Sequence, residues 1–201
     1  LPSSLEVSDG RSNKGVRIMT DKPVSVYAFE ISGCCIGEAF NVLPEKFLGT
    51  NYIVQTTKPR FNAFLSIVGT RSRTQVSVHL KSSRSVSFQS ITYHDGDIIA
   101  FMVDEMETVE ILSKADLTGT TISSNHPIAV LSGNTCGLVS SSSACNQLIE
   151  YLQPTSKCGK SFILPPFQGG NSNKKFLTVV GTVNGTKFER HTVLLLLKTC
   201  V

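Results

Sequence analysis

The 201-residue chain has few charged side chains and no long hydrophobic run. Charged residues make up 17% of the sequence, against about a quarter in typical soluble domains. The net charge of +4 is spread along the chain, without any block of five lysines or arginines. The longest apolar run near the C-terminus, Val193 to Leu197, is far shorter than the roughly 20 residues that span a bilayer. We therefore expect neither a nucleic-acid partner nor a membrane span.

The sequence also lacks the short motifs of common catalytic and cofactor chemistry. It contains no G-x-S-x-G elbow, no G-x-x-x-x-G-K-[ST] loop and no G-x-G-x-x-G fingerprint. An imidazole and two carboxylates occur together at His94, Asp95 and Asp97, a composition that is typical of a solvated turn. The acidic residues between 104 and 110 follow no calcium-loop spacing and are typical of a solvated face. We expect a protein that is not an enzyme and that holds neither a cofactor nor a metal ion.

The cysteines are even in number and have no C-x-x-C spacing, which favours disulfides over a zinc site or a redox motif. Cys136 and Cys145 are at the two ends of a polar loop, and a bond between them stabilises the fold by about 3 kcal/mol in the chain-entropy treatment. Disulfides indicate an extracellular protein. Asn184 begins an N-x-T sequon and is a glycosylation candidate, although Asn-Gly is also typical of a hairpin turn. The remaining disulfide candidates, without assignable partners, are Cys34, Cys35, Cys158 and Cys200.

The chain repeats itself in three blocks that keep the same order. The third block is the closest, with five identical residues in the seven positions from Phe64 and from Phe176. The offset between copies rises only from 104 to 112 residues, which indicates an internal duplication. Most of the extra residues of the second copy fall in the loop between Cys136 and Cys145. The blocks are residues 22–26, 44–49 and 64–70, recurring at 126–130, 154–159 and 176–182.

Hydrophobic periodicity predicts strands over most of the chain. Val76, Val78 and Leu80 alternate with polar residues, so one face of that strand is expected in the core. Residues 98–103 are apolar on both faces and predict a central strand, while only residues 146–152 have helical character. We expect an all-β fold of two tandem related units, each a β-sandwich or jelly roll, that arose from the duplication.

The predicted units cover residues 1–112 and 113–201. The second stops at the equivalent of position 89, so its last strands are expected to be missing or to come from another segment. Since the sequence begins at Leu1 without a methionine or a signal segment, we interpret it as part of a larger multidomain chain.

Several blocks resemble the IgGFc-binding protein N-terminal domain family. In the second copy they are residues 116–133, Cys136, Cys145 and 147–154; in the first they are 23–29, 42–44 and 48–54. The chain departs from the family pattern at Cys158, because the family pattern has a tryptophan before the glycine at this position. The resemblance implies a non-catalytic head of large secreted proteins in mucus, adhesive or matrix settings, with partners that include immunoglobulin Fc. The motifs carry no residue-level Fc contact, so the binding residues stay unassigned.

Our leading hypothesis is a secreted recognition or adhesion module that binds protein or glycan partners through loops and sheet faces. One alternative is a structural network domain whose cysteines crosslink chains. A second is a hydrolase with a site that the sequence does not reveal.

Overall fold

The computed structural model describes residues 10–32, 36–138, 145–164, 177–183 and 185–187. These residues form an all-β fold, as the sequence predicted, with two short 3₁₀ turns at Glu45–Phe47 and Thr155–Lys157. Within the described ranges no helix is long and apolar enough to cross a bilayer. The strands are β1 (Gly10–Ser12), β2 (Val26–Ser32), β3 (Ile36–Val42), β4 (Gly49–Ile53), β5 (Ala63–Gly69), β6 (Thr74–His79), β7 (Val86–Phe88), β8 (Ile91–Tyr93), β9 (Ile98–Val103), β10 (Thr108–Ser113), β11 (Thr121–Gly137) and β12 (Asn146–Tyr151).

Eight strands form one curled sheet around the long strand β11. The main path runs β1-β10-β5-β11-β6-β9, and β4 and β12 also pair with β11. The first part of β11 pairs with β4 and β6, its middle with β5, and its last part with β12. The strands of the two predicted units therefore share this sheet, because β11 belongs to the second unit and β4, β5 and β6 belong to the first.

Alternating burial explains most of the sheet. Val76 and Val78 on β6 are buried, whereas the polar residues between and beside them are less so. They join a core that is formed by one face of the curled sheet and the loops beside it. Its largest fully buried members include Tyr52, Leu65, Ile67, Ile99, Ile111, Leu117, Ile122 and Ile128.

Two expectations from the sequence were wrong. Residues 98–103 form β9, which lies at the end of the sheet path and, among the described strands, pairs with β6 alone, so Ile98 and Met102 are exposed. The segment expected to have helical character is β12, a strand that pairs antiparallel with β11. In both cases the position of the neighbouring strands decided the structure, and local sequence preference did not.

The β2–β3 hairpin is a separate two-stranded sheet that packs on the main sheet. β3 contacts β12, where the Phe40 and Tyr151 rings have centroids 6.3 Å apart. Pairing along β2 is confined to the β3 side among the described residues, which leaves the other edge of β2 open.

The two repeat copies have matching hairpins. Tyr27 lies opposite Asn41 in the β2–β3 hairpin, and Leu131 lies opposite Tyr151 in the β11–β12 hairpin. The 104-residue offset of the first sequence block relates Tyr27 to Leu131, and the 110-residue offset of the second block relates Asn41 to Tyr151. The register of the hairpin is therefore the same in both copies.

Two kinds of turn repeat as well. Each 3₁₀ turn follows a proline, Pro44 or Pro154, whose carbonyl oxygen accepts a hydrogen bond of 2.8 Å from the third residue of the turn. At an offset of 112 residues, the Oγ1 atoms of Thr74 and Thr186 donate to the carbonyl oxygen three residues earlier, at 2.7 and 2.6 Å. The residue before each threonine has positive φ, 56° and 77°. The copies thus share local structure well outside their most similar sequence.

Candidate functional site

The structure contains the predicted disulfide between Cys136 and Cys145, with Cα atoms 5.2 Å apart. It joins the end of β11 to the residue before β12 and so closes the loop of that hairpin. Cys158 follows the second 3₁₀ turn and, among the described residues, has a free and exposed thiol. The other predicted positions, Cys34, Cys35, Cys200 and the sequon residue Asn184, lie outside the described residues.

His94, Asp95 and Asp97 form a hairpin turn before β9. The Asp97 N–H donates to the His94 carbonyl oxygen at 3.0 Å, and Gly96 has a φ of +86°. Asp95 Oδ1 accepts the Ser82 N–H at 2.9 Å, and this hydrogen bond, with the nearby Lys81 ammonium, lowers the pKa of Asp95. The carboxylates stabilise the turn, which accounts for their clustering in the sequence.

The acidic stretch after β9 contacts arginines from the N-terminal segment. Glu107 pairs with Arg11 at 2.8 Å and Glu105 pairs with Arg17 at 2.6 Å. The hydrogen bond and charge of Glu105 raise the pKa of Arg17. Within the described ranges, no group of three or more His, Cys, Asp or Glu residues is placed to hold a metal ion.

A cavity of about 430 Å³ lies beside β6. Its polar lining includes His79, Lys81 and Asp95. His79 Nε2 is 3.1 Å from the Gly96 carbonyl oxygen, and Lys81 Nζ is 3.6 Å from Asp95 Oδ2. These polar groups are engaged with their neighbours in the turn.

The most unusual surface lies on β2. Tyr27 and Phe29, two residues apart and hence on one face of the strand, are 61% and 73% exposed. We call these two residues the aromatic pair. Solvent-exposed aromatic residues grouped on one surface mark interaction sites, because monomeric proteins rarely leave large apolar patches uncovered. Glu30, which follows Phe29, is also exposed and adds a charged residue next to the pair.

A groove of about 630 Å³ opens beside the same hairpin. One side is residues 16–24 and the other is residues 42–48, which include the first 3₁₀ turn; Val68, Ala129 and Tyr151 also contribute to the lining. The lining combines apolar side chains with five charged ones, namely Arg17, Asp21, Lys22, Glu45 and Lys46. Met19, next to the groove, is 85% exposed. Phe47 is also exposed, with Lys46 Nζ 5.3 Å from its ring centroid.

Sequence reasoning did not identify these surfaces. Residues 26–29 read Val-Tyr-Ala-Phe, which predicts a strand but does not show which face is covered. The groove requires residues 16–24 and 42–48 to meet, and no local pattern reports that contact. The available signal was the similarity of residues 22–26 to residues 126–130, which are buried or half-buried in the second copy.

The fold and these surfaces define a disulfide-bearing all-β module with exposed aromatic side chains and a groove. The chain belongs to the IgGFc binding protein family, whose model matches residues 38–194. That description concerns binding and not catalysis. The family resemblance seen in the sequence is thereby confirmed.

Among curated proteins, the Homo sapiens IgGFc-binding protein is 33% identical over 125 residues, which are 61% of this chain and 2% of that protein. The chain thus corresponds to a small part of this relative's length. No solved structure matches the chain.

Proposed function

We propose that the chain is a secreted, non-catalytic recognition module that binds an extracellular protein through the aromatic pair on β2. The observation that carries the proposal is the exposure of Tyr27 and Phe29 on one face of a strand whose outer edge is open. Tyrosine and phenylalanine supply large apolar contact areas for little loss of conformational entropy, and aromatic residues are enriched at interface centres. Family membership and the disulfide support a binding role outside the cell.

Immunoglobulin Fc is the first partner to test, because the human relative is named for binding it. The chain is immobilised and exposed to purified Fc and, separately, to Fab fragments. We expect Fc alone to bind, and the double variant Tyr27→Ser/Phe29→Ser to weaken binding roughly 30-fold, as for loss of a hot spot.

The matched control is Phe61→Ser, because Phe61 is 59% exposed and lies on a different loop. This variant should bind as the parent chain does. Equal binding by the double variant and the control would show that the aromatic pair is not the site. An absence of Fc binding would refute Fc as the partner, and capture from extracellular fluid with the same variants would then test the aromatic pair itself.

A second candidate is a network domain that crosslinks chains through disulfides, favoured by the exposed thiol of Cys158. Electrophoresis of the natural protein with and without reductant tests this role. A ladder of species that collapses on reduction and is absent in Cys158→Ser supports crosslinking. A single band under both conditions refutes it.

We also propose that residues 1–112 and 113–201 are the products of an internal duplication. The matching hairpin register and turns support this origin. Because β4, β5 and β6 of the first unit pair with β11 of the second, residues 1–112 expressed alone should not fold. A cooperatively unfolding 1–112 fragment would show instead that the units are independent.

A further inference from the structure

β4 lies between two elements of the second repeat copy. The groove lies between the two equivalent elements of the first repeat copy. β4 lies between the first part of β11, with which it pairs, and the 3₁₀ turn Thr155–Lys157. Gly49 at the start of β4 packs so closely on Pro154 that the two leave no room for a side chain on Gly49. The first-copy equivalents of these two elements are residues 17–24 and Glu45–Phe47, and they form the two sides of the groove.

The side of the groove nearest the N-terminus already has the local structure of β11. Thr20 Oγ1 donates to the carbonyl oxygen of Lys22 at 2.8 Å, and Ser124 Oγ donates to that of His126 at 2.7 Å. The two bonds are related by the 104-residue offset of the first sequence block. The chain thus approaches the proline of each copy through the same side-chain turn.

Burial shows what the first copy lacks. Ile18 and Ile122 are the same residue type at equivalent positions, but Ile18 is 59% exposed and Ile122 is 2% exposed. Ile122 is covered because it lies opposite Tyr52 of β4. No strand pairs with residues 13–25 in the described part of the chain.

The second copy contains a segment that matches this missing strand. The equivalent of β4 is residues 159–163, which like β4 begin with a glycine after a 3₁₀ turn. These residues belong to none of the twelve strands, and Phe162 and Ile163 are 81% and 97% exposed. Two apolar residues are therefore held in water at positions equivalent to Tyr52 and Ile53.

We propose that the groove of one molecule binds residues 159–163 of a second copy of this chain as an added antiparallel strand, so that copies join head to tail. Strand addition to an open edge is a common mode of recognition, in which main-chain hydrogen bonds give affinity and pockets for alternate side chains give specificity. The internal pairing of Ile122 with Tyr52 sets the register. When the repeat offsets are applied to this pair, Ile18 of one molecule lies opposite Phe162 of the other molecule.

The same register brings a second pair of segments together. Within the chain, Val130 of β11 lies opposite Ile67 of β5. The equivalent positions are Val26, on the open edge of β2, and Val179, in the described segment 177–183. The pairings of β11 with β4 and with β5 within the chain thus both have equivalents that can form between two molecules.

The contact joins the groove of one molecule to residues 159–163 of another. A pair of molecules therefore leaves one groove and one 159–163 segment unoccupied, so further molecules can add. It is expected to be weaker than its internal equivalent, because Tyr52 Oη donates to the Ile128 carbonyl oxygen at 2.6 Å and Phe162 has no hydroxyl. The inference goes beyond the proposed function, since it uses the groove and residues 159–163 and does not require the aromatic pair.

Disulfide trapping between two full-length variants tests the register. Residues directly opposite on antiparallel strands have Cβ atoms close enough for a disulfide. Ile18→Cys mixed with Phe162→Cys should give a crosslinked heterodimer under mild oxidation, at several times the yield of Met19→Cys mixed with Phe162→Cys. Met19 is the control because its side chain points to the opposite face from that of Ile18. Equal yields from the two mixtures would overturn the proposal.

Sedimentation velocity tests the association without engineered cysteines. The parent chain should show concentration-dependent assembly, and Phe162→Glu should weaken it at least roughly tenfold, because a charge would enter the apolar groove. Phe61→Glu, at another exposed phenylalanine, should assemble as the parent does. A parent chain that stays monomeric up to about millimolar concentration, or an unaffected Phe162→Glu variant, overturns the proposal.

The two proposals fail independently. Tyr27→Ser/Phe29→Ser should keep self-association while it loses the extracellular partner, and Phe162→Glu should do the reverse. If Tyr27→Ser/Phe29→Ser abolished self-association and Phe162→Glu did not, the proposal that the groove binds residues 159–163 would be contradicted.

Discussion

Removal of the Cys136–Cys145 disulfide should lower the free energy of unfolding by about 3 kcal/mol. The bond closes a loop with a sequence separation of 9 residues, and the chain-entropy treatment of such a short loop gives just under 3 kcal/mol. In this treatment the effect comes mainly from the unfolded chain. For a chain of this size, the predicted loss corresponds to a fall in Tm of about 6–12 °C.

Urea unfolding of Cys136→Ala/Cys145→Ala measures this loss, followed by far-ultraviolet circular dichroism since the chain has no tryptophan. Cys158→Ala is the control, because its thiol is exposed and bonds to no other cysteine in the described part of the chain, and it should change stability by less than about 0.5 kcal/mol. A double variant within about 1 kcal/mol of the parent would refute the reasoning. It would mean that the β11–β12 pairing alone holds the loop ends together in the unfolded ensemble.

Two further substitutions test the packing around β11. Tyr52→Phe should cost about 1–2 kcal/mol in urea unfolding, because the buried carbonyl oxygen of Ile128 loses its hydroxyl donor; an unchanged midpoint would contradict this. Gly133→Ala should destabilise by more than about 1 kcal/mol, because its Cβ would overlap the Leu148 carbonyl oxygen; a stabilising effect would contradict the close approach of the strands.

Burial, with the nearby charge of a second glutamate, raises the pKa of Glu150. The folded state therefore holds this proton more tightly than the unfolded state does. Stability falls as pH rises through the folded pKa, and Glu150→Gln should flatten that part of the pH profile. The effect should be small because the side chain is only partly withdrawn from solvent, and a steeper profile in the variant would refute it.

The sequence predicted strands well where one face meets water, as on β6, because alternation then reports burial directly. It failed at β12, where Gln147 occupies a buried position and Glu150 a partly covered one, so polarity no longer follows the faces of the strand. It failed differently at β9, where an apolar run gave no sign that one face would be left exposed at the edge of the sheet. Tertiary pairing decided both elements.

The candidate site was less predictable than the fold for a related reason. Recognition of Tyr27 and Phe29 as a surface requires knowledge that β2 pairs on one side only. The groove depends on residues 16–24 lying beside residues 42–48, a contact between segments that have no shared periodicity. The repeat did contain the necessary information, because residues buried in one copy and exposed in the other reveal a missing neighbour.

Comparison of equivalent positions in the two repeat copies shows that the fold leaves apolar side chains of the first copy exposed. Val24 is 56% exposed where its counterpart Ile128 is fully buried, and Phe29 is exposed where its counterpart, Gly133, packs against the backbone of β12. Burial of one such aliphatic side chain is worth about 1.5–3 kcal/mol. The first copy therefore retains the side chains of a buried element without the strands that would bury it, and a partner that covers them gains the hydrophobic free energy that the isolated chain does not.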